Sequence, residues 1–379
     1  MPGNNFDLPI DRTHTNSVRW DKYGSSVIPL WVADMDFKVP ECVLNAIHKR
    51  IDQGILGYTY AGDRLKERIV GYVKNRFDWD IHPSWIHFLP SVVTGLHLSV
   101  RHLTQASDHI LIPGPSYHHF KDSVDHAGRQ YSIFDIALKD GRLTYSIEQL
   151  ESLVRPNTRL LMLCNPHNPG GTVFTKKELL ELGRFAKKNK IIICSDEIHA
   201  DLILDPGLQH HPMGSIGDEF KDISYSLMSL NKVFNFPGLG LAWMVCPNHD
   251  ISSKVLSDSL TLIPHPNLLA YEATQAAIEQ GQEWHTNLIQ YLRKNRDDVF
   301  QRINQMPGLS MAHLQSTYLA WIDASQRNWE SPFDQFLKAG VALSPGSQFG
   351  NPQCVRLNFG TQNALLHQAL DRIESICTH

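Results

Sequence analysis

Short apolar runs of strand length alternate with longer amphipathic segments through the middle of this chain, and no other feature limits its fold so strongly. The runs fall at residues 109–112, 160–164, 191–194, 223–228 and 241–246. Helical spacing appears at 94–105 and 176–189, the second opened by Thr175 as an N-cap with Glu178 three residues later. This alternation predicts repeated βαβ units and a mostly parallel sheet. The carboxyl ends of such a sheet open into a crevice that binds ligands. The polar clusters of this chain follow immediately after the runs.

Beyond the sheet, apolar spacing stays helical from about 268 to 306 with no proline inside, which predicts one long helix linking two lobes. Strand-like stretches at 318–322 and 355–359 then alternate with helical ones at 332–339 and 364–377, predicting a smaller α+β unit. The segment before Pro40 has little periodicity and reads as an arm packed on that unit or on a second copy. Two lobes also suit the length, since 379 residues exceed the ~250–300 at which single cores usually stop growing.

Composition narrows the function. With 35 Lys and Arg against 39 Asp and Glu, the net charge is −4, which gives no electrostatic case for nucleic acid or an anionic membrane. No stretch approaches the ~20 apolar residues that span a bilayer, and the first residues lack a basic or apolar leader, so a cytoplasmic address is expected. Cys42, Cys164, Cys194, Cys246, Cys354 and Cys377 form no Cys-x-x-Cys pair and read as reduced thiols. His118-His119 and His210-His211 stand without a helical His-x-x-x-His or a Cys partner, so no metal is expected. The absence of Gly-x-Gly-x-x-Gly after a strand argues against a dehydrogenase.

Six clusters carry chemistry. Lys232 stands in Ser229-Leu230-Asn231-Lys232, just past the run 223–228, where an amine can attach an aldehyde covalently; an isolated lysine is otherwise a solvated charge. Asp196 ends the run before it, in Ser195-Asp196-Glu197-Ile198-His199. Asn168 lies in Asn165-Pro166-His167-Asn168-Pro169, where Asn-Pro pairs also make ordinary turns. Tyr117 follows Pro113-Gly114-Pro115-Ser116, and Arg356 lies in Arg356-Leu357-Asn358. Ser91-Val92-Val93-Thr94-Gly95 stands at an expected helix start, where free N–H groups favour a phosphate; a plain helix terminus would look the same.

Asparagine, aspartate, lysine and arginine in this order and at these distances resemble the fold-type I enzymes that use pyridoxal 5'-phosphate. The run Trp31-Val32-Ala33-Asp34-Met35-Asp36-Phe37 is similar to the branch holding cystathionine β-lyases and cystalysin-like C–S lyases. The likeness covers nearly the whole chain. It implies a seven-stranded, mostly parallel sheet between helices in a large coenzyme-binding domain (46–285), preceded by an arm (1–45) and followed by a small domain (286–379).

The same resemblance implies the roles. Lys232 holds the coenzyme and moves a proton at the substrate Cα, while Asp196 pairs with the pyridine nitrogen. Asn168 donates to the ring's phenolic oxygen and borders the substrate, and Tyr117 stacks on the ring. His199 fits either a place beside the ring or a satisfied core position. Ser229 fits a phosphate ligand or a strand-end cap, and the amides of Val92 and Val93 fit phosphate ligands. Arg356 clamps the substrate carboxylate, with Ala33 contributing backbone nearby. Tyr58, in Gly57-Tyr58-Thr59-Tyr60, reaches a partner's phosphate, which makes a homodimer the catalytic unit.

The chain departs from the usual family pattern in five places. Asn231 replaces a small residue before the lysine, Ser91 replaces a glycine, and Phe236 adds bulk. His118 and His119 replace substrate-side residues. Gly240 stands where many aminotransferases supply an arginine, which favours the lyase branch. The expected activity is β-elimination from an S-substituted cysteine such as cystathionine. Amino transfer to a 2-oxo acid uses the same residues, and a regulatory role through a partner protein is the third alternative.

Overall fold

The computed structural model describes residues 5–258 and 261–378. Its strands run in chain order β1 (Ile28–Pro29), β2 (Ile86–Leu89), β3 (His109–Gly114), β4 (Gln130–Asp135), the hairpin β5 (Ala137–Lys139) and β6 (Arg142–Thr144), β7 (Thr158–Cys164), β8 (Ile192–Asp196), β9 (Ser224–Met228) and β10 (Ala242–Val245), then β11 (Leu319–Asp323), β12 (Val341–Ala342), β13 (Ser344–Pro345) and β14 (Cys354–Asn358). The α-helices are α1 (Glu41–Asp52), α2 (Asp63–Phe77), α3 (Val92–Leu103), α4 (His119–His126), α5 (Ile147–Leu153), α6 (Lys176–Lys188), α7 (His249–Val255), α8 (Leu268–Gln280), α9 (Gln282–Gln305), α10 (Pro332–Lys338) and α11 (Asn363–Cys377).

A seven-stranded sheet in the order β2-β10-β9-β8-β7-β3-β4 forms the centre, and within it only β10 runs against the others. Successive side chains of a strand face opposite ways, and the two covering layers follow that rule. Ile110, Ile112, Leu160 and Met162 pack with Val92, Leu96 and Val100 of α3. Leu111, Leu161 and Leu163 pack instead with Leu179, Leu182 and Phe185 of α6. Helix α6 begins with the capping box expected at Thr175 and Glu178.

The five expected strands and two expected helices all form, within a few residues of their anticipated limits. Strands β2 and β4, which were not anticipated, are the two edges of the sheet. An edge strand is not buried on both faces and lacks the continuous apolar run that marks the interior ones.

The single helix expected over 268–306 is corrected to two, α8 and α9, joined at Gly281. A Cβ at Gly281 would stand 2.5 Å from the Ala277 carbonyl oxygen and 2.6 Å from the Phe234 ring. The junction therefore needs a residue with no side chain, packed two positions beyond Lys232.

The C-terminal part carries a three-stranded sheet, β11-β14-β13, and the arm packs on it through parallel pairing of β1 with β12. Four charges fasten the arm. Arg12 lies 2.6 Å from Asp34 and 2.8 Å from Asp36, and Arg19, with no exposed surface, lies 2.9 Å from Asp36 and 3.5 Å from Asp34. Arg19 also donates to the carbonyls of Pro29 and Asp34. Among the described residues no helix is long and apolar enough to cross a membrane.

Removing one member of a buried ion pair strands its partner's charge, which typically costs about 3–5 kcal/mol. Asp36→Ala should lower the unfolding free energy by about 3 kcal/mol or more in urea titration. A loss under about 1 kcal/mol would mean that water reaches Arg19 and the cluster is a surface feature.

Candidate active site

Parallel strands aim their carboxyl ends at one edge of the sheet. There β8 ends in Asp196, β9 delivers Ser229 to Lys232, β7 leads to Asn168, β3 leads to Tyr117, and β2 leads to Ser91 and the start of α3. From the C-terminal unit, β14 brings Arg356. All of these line one cavity of about 390 Å³, together with Ala33, Val92, Val93 and His199. Tyr58 does not line it; its side chain is fully exposed on the surface of its own chain.

Lys232 donates through Nζ to the Ala33 carbonyl at 2.7 Å, and the buried Tyr318 hydroxyl donates to the same oxygen at 3.0 Å. Burial lowers the Lys232 ammonium to about 8, and the nearby Arg356 charge pushes in the same direction against Asp34 and Asp196. Burial has the opposite effect on a carboxyl group: Asp196 rises to about 7, although the Ile198 N–H bond at 3.1 Å and Lys232 oppose the shift. The alternation of β8 sends the adjacent Glu197 to the far side, where it accepts from Ser226 and the Met213 amide beside His210.

His199 is buried and its Nδ1 has no hydrogen-bond partner. Burial, reinforced by Lys232 and Arg356, lowers it to about 3, so the ring is neutral. Arg356 donates to Asn168 Oδ1 at 3.0 Å, to the Trp31 carbonyl at 3.2 Å and to Ser344 Oγ at 3.3 Å, and it stacks on Phe349 at 4.6 Å. Its Nε is buried without a partner. Because Asn168 accepts from Arg356 through its carbonyl oxygen, its NH2 group is left to donate into the cavity.

At the other end of the cavity, Ser91 has φ −159° and ψ 160°, extended backbone that any residue adopts, and its hydroxyl accepts from Thr94 N–H as the N-cap of α3. Serine therefore fits where glycine was the expected residue. Among the described residues the amides of Val92 and Val93 have no hydrogen-bond partner, so the helix presents an anion-binding terminus. Ser229 is engaged otherwise: its hydroxyl donates to the Leu241 carbonyl at 2.6 Å and accepts from the Asn231 amide. Gly240 has φ +67°, a left-handed conformation that disfavours any side chain there.

Several residues that shape the cavity were not singled out from the sequence. Asn235 accepts from the Met35 amide and donates to the carbonyls of Met35 and Phe37. Asn358 donates to the carbonyls of Val32 and Asp34. Ser344 donates to the Trp31 carbonyl at 2.7 Å. Each binds backbone in the segment 31–37, a contact that no local pattern reveals; only the unusual specificity of that segment hinted at it.

The Aminotransferase class I and II model matches residues 25–373. The chain belongs to that family. Among curated members, the chain is 35% identical to the cystathionine beta-lyase PatB of Bacillus subtilis, covering 98% of this chain and 99% of the relative. The crystal structure of OvoB superposes with a TM-score of 0.97 at 40% identity over 99% of both chains. That of the PLP-bound C–S lyase from Staphylococcus hominis gives 0.92 at 30% identity over 100% and 99%. The chain is thus a fold-type I enzyme of the pyridoxal 5'-phosphate class.

The cavity residues fit that coenzyme. A free aliphatic amine, a buried carboxyl near neutrality, an amide donor and unpartnered helix amides are the groups that an aldehyde, a pyridine nitrogen, a phenolic oxygen and a phosphate require.

With the coenzyme removed, Asp196 binds its proton more tightly in the folded chain than in the unfolded one. The unfolded state then holds fewer protons between pH 4 and 7, so this group lowers stability progressively as pH rises through that window. Asp196→Asn should accordingly raise the unfolding free energy of the coenzyme-free protein by roughly 2–4 kcal/mol at pH 8 and leave it unchanged near pH 4. Equal stabilities at both pH values would remove burial as the controlling influence.

Proposed function

We propose that the protein is a C–S β-lyase acting on cystathionine or a related S-substituted cysteine, releasing a thiol, pyruvate and ammonia. The observation that carries this reading is the enclosure of Lys232, Asp196 and Arg356 in one cavity, with Gly240 where many aminotransferases place an arginine. The names borne by the similar proteins, cystathionine beta-lyase and C–S lyase, support the same reading.

Pyridoxal 5'-phosphate, when bound, supplies an aldehyde for covalent attachment and a ring that draws electrons from the substrate Cα. Lys232, Asp196, Asn168, Tyr117 and His199 are the residues that would hold its reactive end, and Val92 and Val93 its phosphate. Arg356 would clamp the substrate carboxylate. Its guanidinium is already oriented by Asn168, the Trp31 carbonyl and Ser344, so little rotamer freedom is lost on binding.

An amine near pH 8 is the residue suited to taking the Cα proton, because a base poised near the working pH balances availability against strength. Cleavage breaks the Cβ–S bond: its electron pair leaves with sulfur, and the pair left at Cα forms the Cα–Cβ double bond. Addition of water to the resulting enamine, after tautomerisation to an imine, yields pyruvate and ammonia. Asp196, buried at the end of β8, would face the ring nitrogen and hold or yield a proton there.

Two copies of the chain are part of this proposal. Ile55, Leu56, Tyr58 and Tyr60 are exposed together on the segment between α1 and α2, an apolar surface of the kind that marks an interface. In a homodimer Tyr58 would reach the partner's phosphate end.

Lys232→Ala should reduce pyruvate release from cystathionine, assayed without added oxo acid, by about 10²–10⁴-fold or more. Undiminished turnover in that variant would sink the assignment. Strict dependence of the wild type on an added 2-oxo acid would point to amino transfer instead. Tyr58→Ala should raise the coenzyme concentration needed for half-maximal activity while leaving the subunit's near-UV circular dichroism intact; an unchanged coenzyme requirement would place Tyr58 outside the phosphate end.

A further inference from the structure

His118 and His119 replace the residues that the family resemblance leads one to expect at the mouth of the cavity, and the catalytic proposal leaves them without a role. His118 is the residue just before α4, its side chain making no cap bond, and His119 and Asp122 lie in the first turn of that helix. His119 Nδ1 lies 3.3 Å from Asp122 Oδ2, and His118 Nε2 lies 3.9 Å from the same oxygen. One donor atom from each of the three residues falls within 4.8 Å of the other two.

These separations suit a chelate. Zinc bonds imidazole nitrogen and carboxylate oxygen at about 2.0–2.2 Å, so a tetrahedral ion holds neighbouring donors ~3.3 Å apart. The spacing i, i+3 and i, i+4 places all three side chains on one side of the helix start. Among the described residues Asp122 makes no ion pair with lysine or arginine; the side chains within ion-pair distance of it are the two histidines. Lys121, next in the chain, pairs with Asp125 instead. The buried Nδ1 atoms of His118 and His119 make no hydrogen bond.

A second layer of imidazole lies behind. His97 meets His119 edge-on at 6.0 Å and stacks on His126 at 5.7 Å. These rings pack the His119 side of the cluster, while the exposed side keeps an approach for the ion: His118, His119 and Asp122 are 40%, 31% and 36% exposed.

From this geometry we infer that His118, His119 and Asp122 form a binding site for a divalent transition ion of the zinc class at the rim of the catalytic cavity. Two nitrogens and one oxygen leave a fourth position for water, as in open three-ligand sites. An ion there would fix the His118 ring, which lines the same cavity as Lys232. The inference does not depend on the reaction proposed above, because it concerns ion binding by three side chains to which that proposal gives no role.

The test is calorimetric titration of the chelator-treated holoenzyme with zinc chloride, repeated with cobalt(II), whose visible absorption reports the ligand field. One ion per chain should bind. Loss of an outer-sphere partner alone commonly weakens a metal site 10–100-fold, so removing a direct ligand in Asp122→Asn or His119→Gln should weaken binding by at least about tenfold. His367→Ala, which touches only the distant His367–Asp298 pair, should bind as the wild type does. All three positions are substantially exposed, and unchanged melting temperatures would exclude misfolding as the cause. Equal affinity in the wild type, Asp122→Asn and His119→Gln would overturn the site, as would the absence of any stoichiometric ion.

Discussion

The Ala33 carbonyl is the point on which the catalytic arrangement turns. It accepts from Lys232 on one side and from Tyr318 on the other, so its position decides where the amine rests. A single carbonyl in an irregular segment has no sheet or helix to hold it. Here the holding is done from outside: Arg12 and Arg19 grip Asp34 and Asp36, Asn358 binds the carbonyls flanking Ala33, and Asn235 binds those of Met35 and Phe37. Asn235 also has φ +59°, a conformation uncommon for residues other than glycine but tolerated by asparagine. The loop that carries Lys232 and the loop that receives its hydrogen bond are therefore tied to each other by the same side chain.

Burial then does two opposite things in one cavity. It discourages charge wherever charge would form, so the acid moves up and the amine moves down until both titrate within about one unit of neutrality. Arg356 stays cationic and adds to the depression of Lys232. Groups held in this way are ready to exchange protons at physiological pH without large rearrangement, which is how perturbed acids and bases mark functional sites. Glu197 carries a second charge into the same region of the core, but the pleat of β8 turns it to the opposite face, where Ser226 and the Met213 amide satisfy it.

What could be read from the chain divides by range. Interior strands announced themselves as short, mostly apolar runs, and Asp196, Lys232 and Asn168 could be placed because each follows one within a few residues. The edges β2 and β4 had no such run. The break at Gly281 was missed because a helix can contain glycine, and the Ala277 carbonyl together with the distant Phe234 ring leaves a side chain there no room. Ser229 shows the same limit at smaller scale: a serine near a phosphate-binding end satisfies the pattern, yet its proton goes to the Leu241 carbonyl, a choice made by the neighbouring strand. Tyr58 was assigned across an interface, and the surface position of its side chain leaves that role to a second subunit.

The anion end of the cavity illustrates how local geometry can absorb a departure in sequence. Replacing glycine by serine before α3 would be harmful if the position needed a left-handed backbone, but its φ of −159° does not. The new hydroxyl takes over the Thr94 amide and spares those of Val92 and Val93, which keep the two donors nearest the helix start. With Gly240 unable to carry an arginine without strain, those amides and the helix dipole would bear more of the task of holding a bound dianion than a guanidinium would leave them. Helix dipoles are worth little when exposed to salt and more when partly buried. Val92 is buried and Ser91 half-buried, so the terminus lies in the environment where that contribution is largest.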